Sequence, residues 1–232
     1  MEKMWLDTYR YKNVPYEHQS SYLKQFWRRP VAALFADMGT GKSFMVINNF
    51  AMLYDRGQIN SVLIIAPKGV YRNWVDQELP KHLPDHIISR IALWTPSPRK
   101  AEKATLEKLW DVTEDLKILV MNVEALSTSK GVEYATRFVR STNCFMTIDE
   151  STTIKTPTAK RAKNAVKVGL EAKYKRIMTG SPVTRSPLDL FQQCDFLSPE
   201  CLNSTSYYAF RARYAVMVEK HMGSHSFKKV VG

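Results

Sequence analysis

The sequence predicts an α/β fold in which a mainly parallel central sheet is flanked by helices. Short apolar runs rich in β-branched residues alternate along the chain with segments of helical spacing, which is the order of repeated strand–helix–strand units. The runs are apolar throughout, as expected for strands that helices cover on both faces. The 232 residues, 44% of them hydrophobic, are enough for one large domain with a full-sized core.

Six apolar runs are the predicted strands, and six segments with helical spacing or good helix formers are the predicted helices. The strands are expected at Val31–Phe35, Val62–Ala66, Ile87–Leu93, Ile118–Met121, Cys144–Ile148 and Arg176–Met178. The helices are expected at Ser43–Tyr54, Val70–Leu79, Arg99–Trp110, Tyr134–Arg140, Thr158–Leu170 and Leu188–Leu197.

The composition favours a polyanionic partner and argues against several classes of protein. Lysine and arginine outnumber acidic residues by 34 to 22, which gives a net charge of +12 and favours nucleic acid. Three cysteines without a C-x-x-C pair suggest neither a disulfide framework nor a zinc site. No apolar run approaches the ~20 residues that span a bilayer, and the N-terminus lacks the features of a signal peptide. We therefore expect a cytoplasmic protein with no membrane partner.

Small, polar or acidic residues follow five of the predicted strands. The five segments are Ala36–Ser43, Pro67–Gly69, Asn122–Glu124, Asp149–Thr152 and Thr179–Pro182. Ligands of open parallel sheets bind at the carboxyl ends of the strands. These segments therefore predict an active-site edge.

The segment Ala36–Ser43 fits the phosphate-loop pattern, with Ala36 at the place of the first glycine. Glycines let the backbone approach phosphates and turn its N–H groups inward, and the N-terminus of the next helix adds a positive end. Lys42 can reach the β- and γ-phosphates, and the Ser43 hydroxyl can bind Mg²⁺. The alternative is a chance glycine turn, but the apolar run before the loop and the amphipathic segment after it favour phosphate binding. The residues predicted to bind the nucleotide here are Met38, Gly39, Thr40, Gly41, Lys42 and Ser43.

Two adjacent carboxylates, Asp149 and Glu150, end an apolar strand about a hundred residues after this loop. One carboxylate there suits Mg²⁺ coordination, and a second can orient and deprotonate an attacking water. We assign Asp149 to Mg²⁺ and Glu150 to the general base. The hydroxyls of Thr179 and Ser181, after the next strand, could bind either carboxylate and sense the γ-phosphate. A simple Gly-Ser-Pro turn is an equally good interpretation of that segment.

The motifs as a set resemble those of one family. The matching segments are Pro15–Gln19, Met38–Ser43, Ile65–Lys68 with Asn73, Trp74 and Glu78, Asn122–Leu126, Asp149–Thr152 with Lys155, Arg176–Pro182, Pro187–Phe191, Phe196–Pro199 and Phe210–Tyr214. They are similar to the Q-motif, motifs I, Ia, Ib, II and III and the following tail in the first RecA-like lobe of superfamily-two helicases, specifically the Swi/Snf-type translocases on double-stranded DNA. The similarity runs from about Tyr16 to Val231.

The resemblance implies a three-layer RecA-like P-loop NTPase domain in residues 1–200. It also implies a helical extension in residues 201–232 that begins a linker to a second RecA-like lobe. ATP and Mg²⁺ are the implied cofactors, with Lys42, Asp149 and Glu150 as catalytic residues and Gln19 as the reader of the adenine edge. The implied partners are nucleic acid, with double-stranded DNA favoured, and the second lobe, in cis or in trans.

Three departures from the family pattern limit these expectations. Ser151 and Thr152 stand where the family has Ala-His, so coupling through that histidine is absent, and Ser181 replaces a common threonine. The chain ends at Gly232, before the motifs of a second lobe, so we expect slow ATP hydrolysis by this lobe alone. The short spacers resemble compact bacterial or phage-encoded members, which would place a phage protein in the host cytoplasm.

By resemblance, motifs Ia and Ib and the connection between motifs II and III face the nucleic acid. The residues expected to contact it are Lys68, Arg72, Asn122, Lys155, Lys160 and Arg161. The stretch from residue 155 to residue 176 is rich in basic residues and has Glu171 as its one acid. A solvated helix face is the alternative, and it is the preferred interpretation for Lys163 and Lys167.

Two other functions stay open at this point. The chain could be a nucleotide-regulated nucleic-acid-binding module that has no motor cycle of its own. It could also be a different phosphate-loop enzyme, such as a small-molecule kinase, although no segment with clustered arginines offers a lid.

Overall fold

The computed structural model describes residues 2–204, 206–222 and 225–230. A six-stranded sheet forms its centre, and every neighbouring pair of strands is parallel. The strands are β1 (Val31–Phe35), β2 (Ser61–Ala66), β3 (Ser89–Leu93), β4 (Leu116–Asn122), β5 (Cys144–Asp149) and β6 (Tyr174–Thr179). Their order across the sheet is β1-β6-β5-β2-β4-β3. The predicted α/β fold with a parallel central sheet is confirmed.

Helices connect the strands. They are α1 (Glu2–Asp7), α2 (Glu17–Phe26), α3 (Lys42–Asp55), α4 (Tyr71–Asn73), α5 (Leu79–His82), α6 (Lys100–Lys108), α7 (Ser129–Arg140), α8 (Lys160–Gly169), α9 (Asp189–Leu197) and α10 (Tyr207–Tyr214). Short 3₁₀ turns at Val123–Ser127 and Ser151–Ile154 follow β4 and β5. Within the described ranges, no helix has both the length and the apolar character that crossing a membrane requires.

The sheet separates two apolar layers, which makes the domain three layers thick. Strand β2 is buried along its whole length, and its residues alternate between the layers because successive side chains point to opposite faces. Val62 and Ile64 pack into the layer that contains α2, α3 and α4–α5. Leu63 and Ile65 pack into the layer that contains α6 to α9. This two-sided burial explains why the strands are apolar throughout.

The predicted helix Val70–Leu79 is interrupted, because a π-helical turn at Trp74–Glu78 separates α4 from α5. Pro80 lies in the first turn of α5 and has no N–H to donate to the carbonyl group four residues earlier. The wider π turn accommodates this missing bond. Such turns are frequent at functional sites.

The segment after residue 200 is only partly helical. Helix α10 is followed by two antiparallel strands, β7 (Met217–Met222) and β8 (His225–Val230). The expectation of a helical extension therefore fails after α10, where the chain forms two paired strands instead. Residues 231 and 232, the end of the predicted linker, lie outside the described residues, and the domain boundary at residue 200 stays a prediction.

Arg176 is fully buried in β6, although the sequence places it in a basic stretch. Its guanidinium donates hydrogen bonds to Asn49 Oδ1 at 2.9 Å and to the carbonyl oxygens of Phe26 at 3.0 Å, Arg29 at 2.8 Å, Pro30 at 3.3 Å and Lys175 at 2.8 Å. Phe26 ends α2, so Arg176 supplies donors that the end of this helix lacks. The arginine thus joins α2 to the sheet and to α3.

We expect Arg176→Met to lower the free energy of unfolding by at least about 3 kcal/mol, because each buried acceptor left without a donor costs ~1–3 kcal/mol. Urea denaturation followed by far-UV circular dichroism measures this change. Arg185→Met is the matched control, since Arg185 is exposed and its loss is expected within about 0.5 kcal/mol of zero. Equal stabilities of the two variants would contradict the role given to Arg176.

Candidate functional site

The phosphate-loop segment forms a tight turn between β1 and α3. Gly39 has a φ of 80° and Gly41 a φ of 79°, in the left-handed region that residues with a Cβ rarely adopt. Gly41 is the N-cap of α3, and Lys42 and Ser43 form its first turn. The helix therefore directs its positive N-terminal end at the loop, as phosphate binding requires. Met38, at the tip, is 86% exposed.

Gln19 of α2 packs directly against this loop and is only 5% exposed. Its Nε2 donates to the Thr40 carbonyl oxygen at 3.1 Å, and its Oε1 accepts from the Tyr16 backbone N–H at 3.0 Å. A side chain at Gly41 would overlap Gln19 Nε2. The glycine is thus required by its φ and by the close approach of the glutamine. The predicted contact between Gln19 and adenine stays a prediction.

The Lys42 ammonium folds back onto its own loop. Its Nζ donates to the carbonyl oxygens of Ala36 at 2.9 Å and Asp37 at 3.0 Å. These bonds hold the ammonium beside the backbone that a phosphate would approach. A bound phosphate offers stronger, charged acceptors, so the lysine can exchange a carbonyl partner for a phosphate oxygen.

Asp149 ends β5 and is held by two hydrogen bonds. The Trp74 indole N–H donates to Oδ2 at 3.0 Å, and the Glu150 backbone N–H donates to Oδ1 at 2.9 Å. The pKa of Asp149 is raised to about 6, and burial is the largest cause. The charge of Glu150 raises the pKa further, whereas the hydrogen bond from Trp74 and the charge of Lys42 lower it. A nearby cation would stabilise the charged carboxylate.

The Asp149 carboxylate and the Ser43 hydroxyl suit a Mg²⁺ ion that is bound together with a nucleotide. Mg²⁺ prefers oxygen ligands and is usually held by one or two protein groups, with substrate phosphates and waters completing its shell. Among the residues that the structure describes, no cluster of three or more His, Cys, Asp or Glu could hold a metal ion by itself. Asp149 and the Ser43 hydroxyl are therefore the candidate ligands, and the phosphates would complete the site.

Glu150 has a φ of 47°, which is uncommon for a residue other than glycine and is often found at functional sites. This conformation turns the chain from β5 into the following 3₁₀ turn and separates the two adjacent carboxylates. Glu150 Oε2 accepts a hydrogen bond from the Thr179 hydroxyl at 2.9 Å. Ser181 donates its backbone N–H to the same hydroxyl oxygen at 3.3 Å. The segment after β6 is therefore joined to the acidic pair.

Ser151, the residue after the acidic pair, forms a buried link to α9. Its hydroxyl and Gln193 Oε1 are 2.6 Å apart, and both residues are fully buried. Gln193 Nε2 donates to the carbonyl oxygens of Pro182 at 2.8 Å and Asp189 at 2.7 Å. One glutamine thus connects the residue after the acidic pair to the loop after β6.

Lys155 lies in a second link between the same segments. Its ammonium contacts the Thr184 hydroxyl and forms an ion pair with Asp189 at 3.1 Å. Burial alone would raise the pKa of Asp189, but hydrogen bonds from Thr184, Lys155 and Arg185 outweigh it and hold the pKa at about 2. The expected phosphate contact of Lys155 would have to compete with this ion pair.

The other residues expected to contact nucleic acid differ in solvent exposure and in the hydrogen bonds that they already form. Lys68, Arg72 and Lys160 are exposed near the carboxyl edge of the sheet. Asn122 caps the 3₁₀ turn after β4, since its Oδ1 accepts from the Ala125 backbone N–H at 2.9 Å. Arg161 donates to the Thr153 carbonyl oxygen at 2.8 Å.

Two residues of this site were not assigned from the sequence. Trp74, which was singled out as part of the segment that resembles motif Ia, is buried and also orients Asp149. Gln193 carried no signal beyond its place on a helix. The substitution of Ser151 for alanine was the one available hint, because a buried hydroxyl needs a partner.

Comparison with known proteins identifies a matching family and several relatives of this chain. The profile of the family described as "SNF2-related domain" matches residues 18–231. A DNA excision repair protein ERCC-6-like from Danio rerio is 27% identical over 208 residues, which cover 86% of this chain and 13% of that protein. The chromatin-remodeling ATPase INO80 of Cryptococcus neoformans is 24% identical over 196 residues, 82% of this chain and 10% of that protein.

Solved structures show the same fold. The Sulfolobus solfataricus SWI2/SNF2 ATPase core in complex with dsDNA superimposes with a TM-score of 0.66 at 23% identity, over 88% of this chain and 39% of that chain. The UvsW helicase from Bacteriophage T4 superimposes with a TM-score of 0.60 at 14% identity, over 84% of this chain and 64% of that chain.

We expect Gly41→Ala to destabilise the protein more than Gly39→Ala. Both substitutions place a Cβ at a positive φ, which costs roughly 1–2 kcal/mol, but only the alanine at 41 displaces Gln19. Urea denaturation should show a further loss of about 1 kcal/mol or more for Gly41→Ala, from the broken hydrogen bonds of the glutamine. In a Gln19→Ala background the two variants should become equal, and a difference that persists there would contradict this explanation.

The Ser151–Gln193 bond can be tested with a double-mutant cycle. Ser151→Ala and Gln193→Leu each leave a buried polar group without a partner, so each should lower the free energy of unfolding by about 1–3 kcal/mol. The double variant should lose less than the sum, with a coupling energy of at least about 1 kcal/mol. Strictly additive losses in urea denaturation would show that the bond is not formed in solution.

Proposed function

The chain belongs to the family of SNF2-related domains, and we propose that it is the ATP-binding lobe of a nucleic-acid-dependent ATPase that couples ATP hydrolysis to movement on double-stranded DNA. The observation that carries the proposal is the convergence of Lys42, Asp149, Glu150 and Thr179 on one edge of the sheet. A phosphate loop alone indicates phosphate binding, whereas a phosphate loop facing two differently oriented carboxylates suits hydrolysis.

In the proposed mechanism each residue has one task. The backbone N–H groups from Met38 to Ser43 and the Lys42 ammonium hold the β- and γ-phosphates. Mg²⁺, bound by Asp149 and Ser43, would neutralise charge that develops on the phosphates. Glu150 accepts the proton of the attacking water, and its hydrogen bond from Thr179 orients the carboxylate for that transfer.

Full activity is proposed to need a second RecA-like lobe, supplied in cis or in trans. The chain spans 13% and 10% of two curated relatives that it matches. An arginine supplied across the nucleotide contributes about 10³–10⁵ in rate to related phosphoryl transfers. This lobe alone should therefore bind Mg²⁺ and ATP weakly and hydrolyse ATP slowly.

The proposed nucleic-acid track runs along the carboxyl edge of the sheet, beside the ATP site. Lys68, Arg72 and Lys160 are its exposed cations, and Asn122, Lys155 and Arg161 border it. Contacts with phosphates would give binding that depends on salt and not on sequence. A bacterial or phage origin and a cytoplasmic location stay predictions.

Lys42→Ala and Glu150→Gln should separate nucleotide binding from hydrolysis. Lys42→Ala removes the phosphate ligand, so the Kd for a fluorescent ATP analogue with Mg²⁺ should rise at least tenfold, or about 1.4 kcal/mol. Glu150→Gln should keep that Kd but lower single-turnover hydrolysis by roughly 10²–10⁴. Lys108→Ala and Glu114→Gln, at exposed positions away from the site, are the matched controls.

Two results would contradict the proposal. Unchanged hydrolysis by Glu150→Gln would show that Glu150 is not the general base. Turnover by the unmodified chain that a small acceptor molecule stimulates, and duplex DNA does not, would indicate a kinase instead.

A further inference from the structure

A groove runs between α7 and α8, on the face of the sheet opposite α3. The two helices pack side by side, and each begins at the carboxyl edge of the sheet because it follows β4 or β5 through a short turn. The groove has a volume of about 690 Å³. It begins at Ser127–Ser129, next to the segment that resembles motif Ib, and extends away from the ATP site to Arg140 and Lys167.

The walls of this α7–α8 groove are strongly basic. Four cations line it, Arg137 and Arg140 from α7 and Lys160 and Lys167 from α8, against one acid, Glu133. Helix α8 contains no acidic residue at all. The one ion pair described for these cations, Arg140 with Glu171 at 2.7 Å, is solvent-exposed on both sides. Exposed pairs of this kind are weak, so a phosphate could replace Glu171.

The groove also carries neutral groups that can bond phosphate oxygens. Hydroxyls of Ser127, Ser129 and Thr136 line it. Helix α8 has no side-chain cap at its N-terminus. Its first N–H groups therefore add to the positive potential at the end of the groove nearest the carboxyl edge of the sheet.

The spacing of the cations suits consecutive phosphates. Lys160 and Lys167 are seven residues apart on one helix, which is about 10 Å along its axis. A strand of duplex DNA has one phosphate per ~3.4 Å of axis. The two lysines are therefore far enough apart to contact different phosphates of one strand.

The lining favours a phosphodiester backbone over an acidic peptide. Peptides that bind tightly in grooves usually bury apolar or aromatic anchors. The α7–α8 groove offers Val132 as its one large apolar side chain, and hydroxyls, an amide and charged groups form the rest of its lining. Charge without apolar anchors is typical of sites that hold a nucleic-acid backbone.

We propose that the α7–α8 groove is a second binding surface for the backbone of duplex DNA, which extends the nucleic-acid track from the carboxyl edge of the sheet across the helical face. The proposal rests on the proposed function, because it takes duplex DNA as the ligand. It assigns Arg140 and Lys167 to phosphate contacts, whereas Lys167 was expected to be part of a solvated helix face. Both residues lie at the end of the groove farthest from the ATP site.

The test compares three double variants of the full chain in binding to a fluorescent duplex, followed by anisotropy over a series of salt concentrations. Arg140→Gln with Lys167→Gln neutralises the groove. Lys100→Gln with Lys108→Gln removes the same charge from α6, outside the groove, as the matched control. Lys68→Gln with Arg72→Gln neutralises the track at the strand ends. Circular dichroism checks that each variant is folded.

We expect the groove variant to bind the duplex about 10- to 100-fold more weakly than the control variant at 0.1 M salt. The plot of log K against log salt should become shallower by about 2, since each phosphate contact contributes ~0.9 to the slope. The groove and control variants could instead show equal affinities and slopes, with weaker binding only for the Lys68→Gln, Arg72→Gln variant. That result would overturn the proposal for the groove and leave the proposed function intact.

Two further outcomes are distinguishable. No binding of duplex by the unmodified chain would overturn the proposed function and the groove together. A poly-glutamate peptide whose binding depends on Arg140 and Lys167, with duplex binding unaffected by them, would assign the groove to an acidic protein partner instead.

Discussion

The parallel pairing of the strands is the constraint on which the site depends. Because every strand of the central sheet runs in the same direction, the five strand ends that carry functional motifs lie on one edge, and those strands are neighbours in the order β1-β6-β5-β2-β4. Neighbouring strands lie only ~4.8 Å apart. Residues far apart in sequence therefore meet, as Thr179 meets Glu150 and Trp74 meets Asp149.

Two polar bonds join the segment after the acidic pair to the loop and helix that follow β6. They are the fully buried Ser151–Gln193 bond and the partly buried Lys155–Asp189 ion pair. Polar bonds gain strength in a low-dielectric interior and are costly to leave half made.

The positive charge of the chain is divided between structure and binding. Arg176 and Lys155 lie in the basic stretch of the sequence, but their charges are used inside the fold, to hold the end of α2 and to bind Asp189. Lys68, on the strand edge, and Lys167, on α8, remain exposed. Net charge alone could not separate these two groups, since the difference lies in what surrounds each side chain.

The sequence by itself determined the order of strands and helices, the phosphate loop and the acidic pair. Each depends on local pattern, because a strand covered on both faces must be apolar and a phosphate loop needs glycine where φ is positive, as at Gly41. Only the tertiary structure decided which distant side chains meet. The bonds of Gln193 to Ser151, of Trp74 to Asp149 and of Arg176 to α2 join segments whose spacing along the chain carries no periodic signal. The strands after α10 and the α7–α8 groove also depend on packing between elements, which no single segment encodes.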